Sequence, residues 1–158
     1  MYVSQVEIGN GSVKQICSGI RQFIPKGELE EKLCIVVDNM KKCKLRGEPS
    51  EAMILCGEHT DAVTGVTSVK LASPLIQSSE QVCQIVGQQV VIDADQEITD
   101  RKIKPKEWDD ISSNLYTNDK GEVVYQDEDG LEKVLFVKLG NELITVKVEG
   151  LPSHSAVR

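Results

Sequence analysis

Short runs rich in Val and Ile recur roughly every ten residues along the first half of this chain, and Gly, Pro, Asn and Ser separate them. VSQVEIG, QICSGIRQFI, EKLCIVVDNM, EAMILCG and TSVKLASP are each too short for an ordinary helix and carry the β-branched residues that suit a pleated, half-buried surface. Strands at that spacing imply a barrel or a sandwich. One stretch in this half reads as helical: PKGELEEKL, where Pro25 can open a turn and Glu28 and Lys32 are spaced for an i,i+4 pair. A short helix among strands is compatible with a Greek-key OB barrel.

The second half repeats the pattern after residues 88–108 (QQVVIDADQEITDRKIKPKEW), which pass from a strand-like run into a charged connector. WDDISSNL suits a short helix or turn. EVVYQD, EKVLFVKLG and ELITVKVEG read as strands, with hairpin turns at Asp129-Gly130 and Gly140-Asn141. The expected fold is therefore mainly β: an OB-type β-barrel with a short helix over residues 1–95, and a small β-rich appendage over residues 96–158 packed on it. At 158 residues, such a chain makes one compact domain or two small ones in close contact.

Several function classes recede on composition. No stretch reaches the roughly 20 apolar residues of a membrane span, and the start lacks the order of a signal peptide, so the expectation is a cytoplasmic chain with no membrane partner. Five cysteines, Cys17, Cys34, Cys43, Cys56 and Cys83, lie mostly within apolar runs and form no CxxC, which predicts buried structural thiols and no metal site. His59 and His154 stand outside any catalytic signature, His154 in a tail expected to fray. GxxxxGK[ST] and GxGxxG are absent. DEDGLE does not match an EF-hand loop and reads as a hairpin tip. The chain is expected to be no enzyme and to need no cofactor.

A net charge of −7 argues against nucleic acid, but the charge is unevenly placed. KKCKLR holds Lys41, Lys42, Lys44 and Arg46, and RKIKPK holds Arg101, Lys102, Lys104 and Lys106. These two six-residue windows carry eight of the eighteen cations and no acid, whereas residues 107–132 hold nine acids against the single base Lys120. Four cations in six residues give a footing for phosphates. They equally describe a solvated turn, so composition leaves RNA binding open.

The motifs go further. MYVSQVEIG, QICSGI and IVVDNMKKCKLRGEPSEAMILC resemble successive segments of the tRNA-binding domain of endothelial-monocyte-activating polypeptide II and of the tails of some tyrosyl- and methionyl-tRNA synthetases. The spacing N-x4-K-x-R-G-x2-S-x2-M falls on Asn39, Lys44, Arg46, Gly47, Ser50 and Met53. Further on, W-x6-L-x-T-N-D of the longer eukaryotic members is matched by Trp108, Leu115, Thr117, Asn118 and Asp119.

The resemblance covers nearly the whole chain and implies a non-catalytic module that binds tRNA by shape and backbone. An aminoacyl-tRNA synthetase or multi-synthetase complex is the implied partner. The alternative is a scaffold domain of such a complex with weak or lost tRNA binding. The implied RNA contacts are Asn39, Lys41, Lys42, Lys44, Arg46, Ser50 and Met53, extended by Arg101, Lys102, Lys104 and Lys106. Residue chemistry agrees in part: Gly47 permits a turn, Lys44 and Arg46 would share a face on an extended segment, and Ser50 can hydrogen-bond phosphate or sugar. Met53 equally suits packing. Six aromatic residues (two Phe, one Trp, three Tyr) are too few for a base-stacking surface, and Trp108 reads as a core anchor. The family's H-P-x-A-D strand has no counterpart here, which predicts an open edge covered by another part of the chain or by a second copy in a homodimer.

Overall fold

The computed structural model describes residues 1–97 and 101–158, so positions 98–100 of the charged connector lie outside the described residues. The chain is mainly β, as expected. Strands β1 (Tyr2–Gly9) and β2 (Ser12–Ser18) form a hairpin whose register runs from Tyr2↔Ser18 to Gly9↔Ser12. Asn10 and Gly11 turn it with positive φ at both positions, the primed geometry that matches strand twist. Period-two alternation leaves Val3, Gln5 and Glu7 exposed and half-buries Tyr2, Ser4, Val6 and Ile8. The Tyr2 hydroxyl donates to the Ile24 carbonyl at 2.8 Å.

The helix expected over PKGELEEKL is a single turn, α1 (Lys26–Leu29). Glu30 is extended and Glu31 sits at φ 57°, which ends it before a second turn can form. The Glu28–Lys32 pair is therefore replaced by Lys26–Glu30 at 3.3 Å, an exposed pair of little energetic weight.

The remainder of the first half comprises β3 (Val36–Val37), β4 (Cys43–Leu45), β5 (Glu48–Ser50), β6 (Met53–Ile54), β7 (Cys56–Thr60), β8 (Thr67–Leu71) and β9 (Ser73–Pro74). Helix α2 (Ser79–Ile85) was not expected. Its seven residues bury only Ile85, so no helical periodicity shows in the sequence, and it forms because Ile85 packs beside Val137 and Ile144. Beyond it lie β10 (Val90–Val91), α3 (Pro105–Ser112), β11 (Leu115–Thr117), β12 (Val123–Gln126), β13 (Glu132–Val134), β14 (Phe136–Leu139), β15 (Glu142–Lys147) and β16 (Ala156–Val157). The hairpins expected at Asp129-Gly130 and Gly140-Asn141 are β12–β13 and β14–β15.

Both halves contribute to the two larger sheets. One has the order β13-β12-β11-β16-β7-β8, the other β10-β14-β15-β9, and the described residues also form three two-stranded ladders, β1-β2, β3-β6 and β4-β5. The largest core cluster is likewise shared: Leu55 and Ala72 from the first half pack with Leu115, Val123, Leu135, Val146, Val148 and Val157. Trp108 packs against that cluster, in line with its reading as an anchor. Where the end of α2 meets the β1–β2 hairpin, Gly9 and Gly87 touch through their backbones. A β-carbon on Gly87 would lie 2.8 Å from the Gly9 Cα, so both positions require glycine on space as well as on positive φ.

Two expectations are corrected. The tail is ordered: Ser155 is buried, β16 pairs with both β7 and β11, and His154 stacks on Tyr116 with ring centroids 5.2 Å apart. The thiols are all free, but only part of them is buried. Cys17 and Cys56 are buried and Cys34 is half-buried, while Cys43 and Cys83 are exposed. Burial pushes the Cys34 thiol up to about 11, and burial together with neighbouring Cys34 pushes Cys56 up to about 12. Since the thiolate is the reacting species, an aromatic disulfide reagent at about pH 8 is expected to titrate two thiols rapidly and the other three only after denaturation. More than two rapid equivalents would contradict this packing.

Candidate nucleic-acid interface

The first basic window folds as the β4–β5 hairpin. Cys43 pairs with Ser50, Lys44 with Pro49 and Leu45 with Glu48, which leaves Arg46 and Gly47 as a two-residue turn. Both have positive φ, 52° and 82°, and Gly47 takes the second turn position where a side chain is strained. The expectation that Lys44 and Arg46 share a strand face is corrected, because alternation ends at Leu45 and Arg46 belongs to the turn. Residues 41–49 are all exposed, so the hairpin presents Lys41, Lys42, Lys44 and Arg46 to solvent.

Its base is fixed on β2. Gln15 Nε2 donates to the Pro49 carbonyl at 2.9 Å, and the Glu51 N–H donates to the Gln15 carbonyl at 2.8 Å. The Glu51 carboxylate accepts the Gln15 N–H at 3.2 Å and meets Lys42 Nζ at 3.5 Å. The Gln15 bond and then Lys42 hold its carboxyl below the ordinary carboxylate value. Lys42 is thus partly neutralised.

Ser50 leaves the surface set. It is 3% exposed, its Oγ accepts the Cys17 N–H at 3.0 Å and donates to the Ala52 carbonyl at 3.1 Å, and both bonds lie inside the chain. A hydroxyl so engaged holds β5 on β2 and has no face for a phosphate. Met53 pairs with Val37 and borders a cleft of about 300 Å³ together with Cys17, Phe23, Cys56 and Arg158.

The second window comes to the first across more than sixty positions. Met40 and Ile103 form a parallel bridge, the Ile103 N–H donates to the Asn39 carbonyl at 2.9 Å, and Asn39 Nδ2 donates to the Arg101 carbonyl at 2.8 Å. The bridge therefore sets Met40, the neighbour of Lys41, beside Ile103, the neighbour of Lys102 and Lys104. Lys102, Lys104 and Lys106 are exposed. Arg101 is shared with an acid: its Nη2 meets Glu107 Oε2 at 2.8 Å, and the same carboxylate accepts the Lys104 N–H at 3.1 Å at the start of α3. Arg101, then the Lys104 N–H, hold the Glu107 carboxyl below its ordinary value.

Sequence reasoning missed Lys14, whose ammonium pairs with the Asp38 carboxylate next to Asn39. It stands on β2 far from both windows in sequence, and no local pattern marks it. Among the described residues no group of three or more His, Cys, Asp or Glu is gathered as metal ligands would be.

Known proteins resemble this chain in sequence and in fold. The chain is 25% identical over 120 residues to aminoacyl tRNA synthase complex-interacting multifunctional protein 1 of Mus musculus, which covers 75% of this chain and 35% of that protein. It is 25% identical over 129 residues to the cytoplasmic methionine–tRNA ligase of Arabidopsis thaliana, covering 80% and 15% respectively. A shorter segment, 56 residues, is 36% identical to the cytoplasmic tyrosine–tRNA ligase of Gallus gallus, covering 35% of this chain and 11% of that enzyme. The chain thus spans about a third or less of the length of these relatives. In fold it is similar to the crystal structure of the C-terminal domain of Plasmodium vivax p43, with a TM-score of 0.68, 21% identity, and coverage of 98% of this chain and 82% of that one. Residues 1–78, which include the whole β4–β5 hairpin, match the family model described as a putative tRNA binding domain.

Proposed function

We propose that the chain is a non-catalytic tRNA-binding module that works beside an aminoacyl-tRNA synthetase in the cytoplasm, with the Lys41–Arg46 hairpin and the Lys102–Lys106 segment as its RNA surface. The observation that best supports this reading is the Met40–Ile103 bridge, which brings together two basic segments separated in sequence. Six lysines and arginines outside the Arg101–Glu107 pair and the Lys42–Glu51 pair, together with Lys42, offer contacts to phosphates and 2′-hydroxyls rather than to base edges. The acids of residues 107–132 oppose the same polyanion, so intrinsic affinity is modest. Modest affinity suffices for a tethered module, which raises the local concentration of tRNA near its partner.

The test is a filter-binding titration of bulk tRNA at increasing salt. Affinity is expected to fall linearly on logarithmic axes, with a slope of about 0.9 per phosphate neutralised if the contacts resemble those on a duplex. Binding that is undetectable at low salt, or that does not respond to salt, would overturn the reading. The acidic hairpin tip around Asp127, Glu128 and Asp129, with Leu131 59% exposed beside them, would then stand as the docking surface of a scaffold domain.

A further inference from the structure

Asn39 was expected among the RNA contacts, yet its side-chain donor and its backbone carbonyl are both turned to the chain itself. Its side-chain Nδ2 donates to the Arg101 carbonyl at 2.8 Å, and its own carbonyl accepts the Ile103 N–H at 2.9 Å. The two bonds grip alternate residues of one segment, as a neighbouring strand would, and the Met40–Ile103 bridge lies directly beside them. Arg101 and Lys104 are meanwhile gathered by Glu107 at the start of α3. The 101–106 segment is therefore held at both ends, on Asn39 at one side and on α3 at the other. The backbone that carries its three exposed lysines is thus tied near the hairpin without a ligand.

We propose that Asn39 is a positioning residue of the basic surface: it holds the Arg101–Lys106 segment beside the Lys41–Arg46 hairpin and makes no contact with RNA. The proposal rests on the tRNA-binding function above for its affinity consequence, but not for its structural one. An asparagine side chain suits the task because it presents a donor to a backbone carbonyl at the geometry of a peptide group. An aspartate of the same shape would set a carboxylate against that carbonyl. With the side-chain bond removed, the segment must be ordered at the moment of binding, and that ordering entropy is subtracted from affinity.

The test combines two measurements on the full 158-residue chain. Affinity for bulk tRNA is measured for the parent, for Asn39→Ala, for Lys102→Ala/Lys104→Ala, and for the triple variant. Amide hydrogen exchange at Ile103 is measured without RNA in the parent, Asn39→Ala and Asn39→Asp. Loss of one hydrogen bond predicts about a fivefold weakening for Asn39→Ala in the parent, and less than about twofold once the two lysines are gone, because the lost bond then positions little that touches RNA. Ile103 exchange is expected to accelerate in both Asn39 variants. A fivefold loss that persists in the lysine-free background would make Asn39 a direct contact and overturn the proposal. Unchanged affinity for Asn39→Ala where the lysine variant is weakened would overturn it too, as would unchanged exchange at Ile103. Should the parent chain bind no tRNA, the functional reading fails, and the exchange result alone still decides whether Asn39 holds the segment.

Discussion

Removing the four hairpin cations together, as Lys41→Ala, Lys42→Ala, Lys44→Ala and Arg46→Asn, is expected to weaken tRNA binding by on the order of 100-fold at moderate salt. The salt slope is expected to drop by about three to four, since each lysine or arginine on a phosphate contributes about one. Asparagine is the right replacement at position 46. Arg46 stands at φ 52°, where alanine adds backbone strain and Asn-Gly is the preferred pair for a primed two-residue turn. Lys42 is expected to contribute least of the four, because Glu51 already meets it at 3.5 Å. All four side chains are exposed, so thermal stability is expected to stay within about 0.5 kcal/mol of the parent. Filter binding over a salt series, with a melting curve alongside, decides the matter. A variant that binds with parental affinity and slope would exclude the hairpin as the contact.

The second large effect concerns the core. Leu55→Ala is expected to lower the unfolding free energy by about 3 kcal/mol, within the 2 to 5 kcal/mol range for burying a leucine side chain and then leaving its cavity. Leu55 is 2% exposed, follows β6 directly, and packs in the cluster to which both halves of the chain contribute. Its backbone is also tied on both sides, its N–H donating to the Ile35 carbonyl and its carbonyl accepting the Ala72 N–H. Trp108, the one tryptophan of the chain, borders the same cluster from α3. Chemical denaturation followed by Trp108 fluorescence and by far-ultraviolet circular dichroism is therefore expected to shift to lower denaturant by the same amount in both signals. A fluorescence transition left at its parental midpoint would mean that the second half holds its fold without the first.

The sequence carried the strands well and the contacts between distant segments poorly. VSQVEIG, EVVYQD and ELITVKVEG declare themselves through their β-branched residues, and the second-half hairpins through the Asp-Gly and Gly-Asn turns, because both signals are local. The same locality explains the failures. α1 stops where Glu30 is extended and Glu31 adopts a left-handed conformation, which helix propensity does not foretell. α2 rests on a single buried isoleucine, and the two-residue β16 has no alternation to show. In the candidate interface, each basic window was visible as composition. Their adjacency was not, because the Asn39–Arg101 bond joins positions 62 apart and no period in the sequence encodes it. Ser50 shows the limit from the other side: a serine in a basic turn invites phosphate, and only the fold reveals that the Cys17 N–H and the Ala52 carbonyl already engage its hydroxyl.

The placement of β16 bears on how the chain comes off the ribosome. Val157, fully buried, lies on the strand that joins β7 to β11, and Cys56 exchanges backbone bonds with Arg158. The emerging first half, with its basic hairpin already made, must therefore wait with the flank of β7 uncovered until residue 157 has cleared the exit tunnel. A nascent chain held with residues 156–157 still inside the tunnel is accordingly expected to leave a strand edge open to pairing with other chains.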